Sequence, residues 1–279
     1  MIKIGTSGYS YDDWRGVVYP ESLSKKNFLK RYSSYFDLTE INSTYYHLPT
    51  PGMFENIRKK VPEEFRFVVK FSKELTHERE KAAKSVDKFR AGIEPLVQSG
   101  QLVTTLAQFP YSFKPKDESF EHLEFLRNQL PELPINVEFR NEYWIKEETF
   151  KFLEKHDLGY VCVDMPRLPR LVPPIVRATT DLGYIRFHGR VEEHWWNPPN
   201  PHMRYDYSYG EEELEEWVDK TEELKDYTEN IVILFNNHYG GKSARDAKKF
   251  SGLLGLEGGT DGLPEPGDLI QPGKDLFET

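Results

Sequence analysis

Eight short runs of β-forming residues alternate with helical segments along this chain, and that alternation constrains the fold more than any other feature. Strands that alternate with helices pair in parallel through right-handed crossovers. Eight such units within about 250 residues predict a single-domain (β/α)₈ TIM barrel, an α/β fold, over residues 1–255. The runs are KIGTSG (3–8), LTEINS (38–43), FRFVVKF (65–71), LVTTLAQF (102–109), INVEFR (135–140), YVCVDM (160–165), YIRFHG (184–189) and IVILFNN (231–237).

A doubly wound open sheet is the alternative fold, but its strands usually read as unbroken apolar runs, and these do not. Ser243 is predicted as the N-cap of the last helix. Residues 256–279 are rich in Gly, Pro and acids, which predicts an irregular or partly disordered extension. Apolar side chains recur at helical spacing in residues 25–36, 86–98, 120–130, 147–156, 211–227 and 243–254.

Charge and composition narrow the class of protein. The formal net charge of -9 argues against nucleic-acid binding by bulk charge, although it leaves a local basic cleft open. Cys162 is the single cysteine, so no intrachain disulfide can form, which fits a reducing compartment. The amino terminus enters a strand without a cationic leader, and no apolar stretch approaches the length of a membrane span. We therefore expect a cytoplasmic protein that does not enter the membrane.

Polar side chains collect near the carboxyl ends of the strands, where barrel active sites form. The alternative is a self-satisfied ion network, because three acids in this set balance three bases. Buried ion pairs are weak evidence for stability, since apolar replacements often do as well, and this favours a site. Strand alternation assigns to the inner face Glu40, Asn42, Lys70, Gln108, Glu138, Arg140, Asp164, Arg186, His188 and Asn236.

Seven ordered motifs resemble the domain-of-unknown-function family 72, the YecE-like proteins, from about residue 2 to residue 254. The resemblance implies a TIM barrel and implies no activity. It also implies a likeness, at the level of fold, to the barrels of xylose isomerase and endonuclease IV, and fold does not fix function. The motifs are GTSGYSYDDWRGVVYP (5–20), EINSTYYHLP (40–49), FVVKFSKELTH (67–77), AQFPYSF (107–113), VEFRNEYW (137–144), YIRFHGR (184–190) and FNNHYGGKSARDA (235–247).

Four of the polar residues are predicted to carry chemistry. Glu40 and Glu138 could divide acid and base roles, or serve proton abstraction beside a carbonyl that Lys70 or His188 polarises. The alternative is that each glutamate only pairs with an arginine. The predicted ligand is a small phosphorylated or sugar-like molecule, with substrate contacts from Tyr9, Trp14, Asn42, Tyr45, His77, Gln108, Arg140, Asp164, Arg186, Asn236 and Asn237.

Two loops add further expectations. The loop after strand eight contains Gly240, Gly241, Lys242 and Ser243, which could bind phosphate at a helix N-terminus or form an ordinary glycine turn. The loop after strand seven is long and aromatic, which suits stacking on a ring or packing over the barrel mouth. Its aromatic residues are Trp195, Trp196, Tyr205, Tyr207 and Tyr209.

A cofactor is not identified by any motif. The chain has eight histidines but neither an HxH nor an HExxH pair, so a metal is weakly supported. A Mg²⁺ ion held by Glu138 and Asp164 stays open. An enzyme for a small ligand is the first hypothesis, a non-catalytic barrel that binds a metabolite or protein is the second, and a nucleic-acid-processing protein of the endonuclease type is the third.

Overall fold

The computed structural model describes residues 1–256 and 262–264, where eight parallel strands close into a barrel. Each strand pairs with the next along the chain, and β8 pairs with β1. The prediction of a single TIM barrel is confirmed, while most of the predicted extension, 256–279, lies outside the described residues. The strands are β1 Ile2–Ser7, β2 Leu38–Ile41, β3 Arg66–Lys70, β4 Leu102–Gln108, β5 Ile135–Glu138, β6 Leu158–Asp164, β7 Leu182–Phe187 and β8 Asn230–Phe235.

Within the described residues eight α-helices surround the strands, but they are not distributed one to a strand. Two follow β3, and the fully described connection 165–181 between β6 and β7 has none. The helix after β2 was not among the segments predicted from apolar spacing. The helices are α1 Phe28–Tyr32, α2 Pro51–Arg58, α3 Lys73–Thr76, α4 Ala82–Gln98, α5 Asp117–Gln129, α6 Glu147–Lys155, α7 Glu211–Lys225 and α8 Lys242–Leu253.

Local sequence explains where α2 begins. The Thr50 side chain accepts a hydrogen bond from the Met53 backbone N–H at 3.3 Å, and Pro51 occupies the first turn, where its missing N–H costs nothing. None of the described helices is long and apolar enough to cross a membrane.

The last helix begins at a glycine turn, and the predicted N-cap is wrong. Gly240 and Gly241 have φ angles of 61° and 74°, the left-handed region that glycine adopts at little cost. Gly241 is the N-cap residue, so Ser243 lies inside the first turn of α8. The turn carries the chain directly from the end of β8 to α8.

The hydrophobic core lies between the outer face of the strands and the helices. Phe187 on β7 stacks on Phe235 on β8 at 4.3 Å between ring centroids, and both rings contact Phe250 on α8. The inner face carries both apolar and polar side chains, and the polar ones converge at the carboxyl ends of the strands.

Candidate functional site

A cavity of about 800 Å³ opens at the carboxyl ends of the strands. It is large enough for a small metabolite, since small-molecule sites usually enclose roughly 300–1,000 Å³. Of the residues predicted to contact substrate or act in catalysis, those that line its wall are Tyr9, Glu40, Asn42, Tyr45, Lys70, His77, Gln108, Arg140 and Asn236.

Arg186 on β7 bridges two carboxylates behind this wall. Its Nε and Nη2 donate to the two oxygens of Glu40 on β2, at 2.9 and 2.6 Å, and its Nη1 donates to Glu138 Oε2 on β5 at 2.5 Å. Tyr184 adds a hydrogen bond from its hydroxyl to Glu40 Oε2 at 2.6 Å. All four side chains are buried. The guanidinium of Arg186 therefore connects three strands of the barrel, β2, β5 and β7, through buried hydrogen bonds.

The second oxygen of Glu138 faces two further groups. Its Oε1 lies 2.7 Å from Arg140 Nη2 and 3.1 Å from His188 Nε2. Burial alone would raise the pKa of Glu138, but Arg140 and Arg186 outweigh burial and hold the pKa well below its usual value of 4.5. Glu138 is therefore ionised at neutral pH and has no proton to donate to a substrate.

His188 is neutral in this arrangement. Burial and the nearby Arg140 lower the pKa of His188 to about 3. Its Nδ1 lies 3.1 Å from the side-chain amide nitrogen of Asn236, which can only donate. This contact assigns the ring proton to Nε2, which points toward Glu138. His188 thus supports the carboxylate from behind the cavity wall.

Lys70 presents its amine at the wall of the cavity. Its Nζ donates to Gln108 Oε1 at 2.8 Å and lies 4.9 Å from the ring centroid of Tyr45. Among the described residues Lys70 forms no ion pair with a carboxylate. Burial and the positive charge of Arg186 lower its pKa to about 8. Lys70, Arg140 and Arg186 are therefore three cations against the two carboxylates Glu40 and Glu138.

Aromatic rings form much of the remaining wall. The ring of Tyr11 stacks on His238 at 4.3 Å and 4°, and Tyr205 lies 5.3 Å from the same histidine. Tyr111 meets Trp196 edge to face at 4.8 Å across the mouth. The sequence analysis placed Tyr205 in the aromatic loop after strand seven without assigning it to the site, and it assigned no site role to Tyr11, Tyr111 or His238.

Comparison with known proteins gives a consistent result. The family model described as "Protein of unknown function DUF72" matches residues 3–268. This chain belongs to the DUF72 family. The UPF0759 protein YunF of Bacillus subtilis (strain 168) is 31% identical over 273 residues, which cover 92% of this chain and 96% of YunF.

Solved structures of DUF72 proteins resemble the chain over nearly its whole length. A DUF72 family protein of Thermotoga maritima MSB8 is 41% identical, with a TM-score of 0.85, over 91% of this chain and 99% of that protein. One from Enterococcus faecalis V583 is 26% identical, with a TM-score of 0.82, over 92% and 97% of the two chains. The family description names no activity.

Asp164 does not share the inner face in the DUF72 chain, which corrects the prediction made from strand alternation. Its carboxylate accepts hydrogen bonds from Trp217 Nε1 on α7 at 2.7 Å, from the Tyr209 hydroxyl at 2.8 Å and from Arg190 Nη2 at 2.6 Å. It therefore points outward to the helix layer. A Mg²⁺ site shared by Asp164 and Glu138 is excluded, because the two carboxylates lie on opposite faces of the barrel wall.

Trp14 and Asn237 brace the loops around the cavity and do not line it. Trp14 is buried and donates through Nε1 to the His238 carbonyl at 2.7 Å. Asn237 donates through Nδ2 to Asp246 at 2.7 Å and to the Tyr207 carbonyl at 2.8 Å. Both residues therefore position the loop that follows β8.

The predicted anion loop already contacts carboxylates of the chain itself. The Gly240 backbone N–H donates to Asp13 Oδ2 at 2.7 Å, and Lys242 forms an ion pair with Asp206. Ser243 is buried inside α8. An external anion would have to compete with Asp13 and Asp206, so the unmatched charge at Lys70 is the better anion site.

The residues that the structure describes contain no group of three His, Cys, Asp or Glu side chains arranged to hold a metal ion. Around the cavity, the carboxylates that could ligate a metal are held by arginines instead. The groups at the cavity wall that a ligand can contact include the Lys70 amine, the Arg140 guanidinium, amides and aromatic rings.

Proposed function

We propose that this DUF72 chain is an enzyme that acts on a small anionic molecule, phosphorylated or sugar-like, bound at the C-terminal mouth of the barrel. The observation that carries the proposal is the charge imbalance of the cluster at the cavity wall, where Lys70, Arg140 and Arg186 face only Glu40 and Glu138, and Lys70 has no carboxylate partner among the described residues. An anionic ligand supplies the missing negative charge.

Unpartnered polar atoms at the wall support the same ligand class. Asn42 Oδ1, Arg140 Nε and His238 Nδ1 are buried and have no hydrogen-bond partner among the described residues. A buried polar atom without a partner costs about 1–3 kcal/mol, so such atoms at a cavity wall are explained by a ligand that satisfies them. An acceptor and a donor together suit a molecule with hydroxyl groups and an anionic group.

The aromatic wall suits the body of the ligand. Sugar rings have apolar faces that pack on flat aromatic side chains, while their hydroxyl groups need polar partners at the edges. The cavity offers both kinds of surface. Rings at its wall include those of Tyr9, Tyr45, Tyr111, Trp195, Trp196 and Tyr205.

Binding is tested first by thermal stabilisation of the purified chain. Sugar phosphates, sugar acids and their uncharged parent sugars are compared, because a ligand that binds the folded state raises the melting temperature by mass action. We expect the anionic compounds to stabilise the wild type, and Lys70→Met and Arg140→Met to lose that effect. Lys73→Met is the matched control, since Lys73 pairs with the partly exposed Glu78.

Turnover is tested next on each ligand that stabilises the chain, by following its NMR signals over hours. Conversion that is lost in Lys70→Met supports an enzyme. Stabilisation without conversion would favour a non-catalytic metabolite-binding barrel. If uncharged sugars stabilise the wild type as well as the anionic ones do, the charge argument fails.

A further inference from the structure

The amine of Lys70 is held in a fixed position by its neighbour Gln108. The Gln108 amide donates through Nε2 to the Phe109 carbonyl at 2.8 Å, which turns its Oε1 toward Lys70 Nζ at 2.8 Å. The Tyr45 ring lies on another side of the amine, at 4.9 Å from the ring centroid. The amine is thus oriented at the cavity wall, and among the described residues it forms no direct ion pair with a carboxylate.

Lys70 is also the cation of the site that can lose its charge. Arginine stays protonated in proteins, so Arg140 and Arg186 provide a permanent positive field. Burial and Arg186 bring the pKa of Lys70 to about 8, although Glu40 and Glu138 act in the opposite direction. A neutral amine fraction is therefore present near neutral pH, and a neutral amine is a nucleophile.

We propose that Lys70 forms an imine with an aldehyde or ketone that carries an anionic group. This inference rests on the proposed function and names its substrate class and its nucleophile. Lys70 Nζ attacks the carbonyl carbon of the ligand, and the Arg140 guanidinium binds the carboxylate or phosphate of the same molecule. Asn42 Oδ1, which has no partner among the described residues, accepts a hydrogen bond from a hydroxyl of the ligand.

The reaction balances without any oxidant or reductant. The lone pair of the neutral amine adds to the carbonyl carbon, and the π electrons of the C=O bond move to oxygen. A proton passes from nitrogen to that oxygen and gives a carbinolamine. The C–O bond then breaks, the remaining proton on nitrogen is transferred to the departing oxygen, which leaves as water, and the nitrogen lone pair forms the C=N bond between the ligand and Lys70.

Trapping by borohydride tests this step directly. The full chain is incubated with glyoxylate or with dihydroxyacetone phosphate, reduced with sodium borohydride, digested and mapped by mass spectrometry. The reduction converts an imine to a stable secondary amine. We expect one adduct per chain, on Lys70. Both compounds should give this adduct if the site accepts carboxylate and phosphate alike, and only one compound should give it if the site distinguishes the two groups.

Controls with an uncharged ligand, with variants and with a second lysine define the specificity of labelling. Uncharged dihydroxyacetone should label Lys70 roughly tenfold less, and Arg140→Met should remove that preference, because the anionic group contributes about 1.4 kcal/mol or more of binding. Lys70→Arg keeps the positive charge and should lose the adduct. Lys70→Gln replaces Lys70→Arg as the control if the Lys70→Arg protein does not fold. The exposed Lys30 reports the background of non-specific labelling.

The outcomes separate this inference from the proposed function. If anionic ligands stabilise the wild type but borohydride leaves Lys70 unmodified, the imine is excluded and the anion site stands. If Lys30 and Lys70 are labelled to the same extent, the reaction is non-specific and the imine is excluded as well. If anionic ligands neither stabilise the chain nor label Lys70, both proposals fail.

Discussion

Arg186 on β7 binds both carboxylate oxygens of Glu40 on β2, at 2.9 and 2.6 Å, across 146 residues of sequence. A third hydrogen bond from the same guanidinium reaches Glu138 on β5. The contact joins strands on different sides of the barrel. It therefore fixes the cluster of buried charges behind the cavity wall, next to Lys70 and Arg140. Much of the stability and charge of the site depends on this one side chain.

Replacing Arg186 by methionine should destabilise the chain strongly. Breaking a buried ion pair from one side leaves uncompensated buried charge and costs about 3–5 kcal/mol. Arg186→Lys should recover little of this loss, because an ammonium cannot bind both oxygens of Glu40 in the same planar geometry. Urea unfolding measures the change, with the exposed Arg90→Met as control. A loss below about 1 kcal/mol would contradict the role of Arg186.

Glu138→Gln should strengthen anion binding while it lowers stability. The substitution removes one of the two carboxylates that face three cations, so the unmatched positive charge around the cavity increases. We expect anion affinity to rise roughly tenfold at low salt, and calorimetric titration with inorganic phosphate measures it. An unchanged or weaker affinity in a folded variant would contradict the charge argument. Glu142→Gln is the control, since that side chain does not line the cavity.

Asp164→Asn should destabilise the chain without changing the anion site. The carboxylate is buried against Arg190, Trp217 and Tyr209, so its neutralisation leaves a half-buried guanidinium without its main partner. We expect a loss of about 3–5 kcal/mol in the free energy of unfolding. Asp87→Asn, in an exposed pair with Arg90, should change stability by less than about 0.5 kcal/mol. A shift in phosphate affinity equal to that of Glu138→Gln would argue against the outward placement.

The stability of the chain should rise with pH above about 8 because of Lys70. Its pKa falls from 10.5 to about 8 in the folded chain, so between these values the unfolded chain binds more protons. The free energy of unfolding therefore increases with pH across this interval. Lys70→Met should remove this part of the increase when urea unfolding is compared at pH 7.5 and pH 10. Equal slopes in wild type and variant would contradict the lowered pKa.

Because of Asp246, the free energy of unfolding should fall as pH rises from about 3.8 to about 6. Burial raises the pKa of Asp246 from 3.8 to about 6, so the folded chain binds more protons than the unfolded chain between these values. Its contribution to stability is present below pH 3.8 and is lost as pH rises through 6. Asp246→Asn should remove this loss, and the exposed Asp219→Asn should keep it. The comparison uses urea unfolding at pH 4 and pH 7.

The sequence predicted the barrel and the inner position of Glu40, Glu138 and Arg186 because strand alternation is a local property of the backbone. The same alternation failed for Asp164. Residue type alone does not show which face of the barrel wall a polar side chain at the end of a strand occupies. The outward direction of Asp164 was set by its hydrogen bond with Trp217, 53 residues away. Helix α2, which follows β2, was missed because its eight residues give a short apolar pattern.

The sequence by itself determined the order of strands, the barrel class and the polar character of the strand ends, since each follows from residue type and spacing over a few positions. The tertiary structure alone decided which charges pair. Closure of the barrel brings Tyr11 onto His238 and Arg186 onto Glu40, contacts between residues far apart in the chain. Those contacts left Lys70 without a carboxylate among the described residues. Which charges pair depends on the distance between side chains in the folded chain, and local sequence does not determine that distance for residues far apart in the chain.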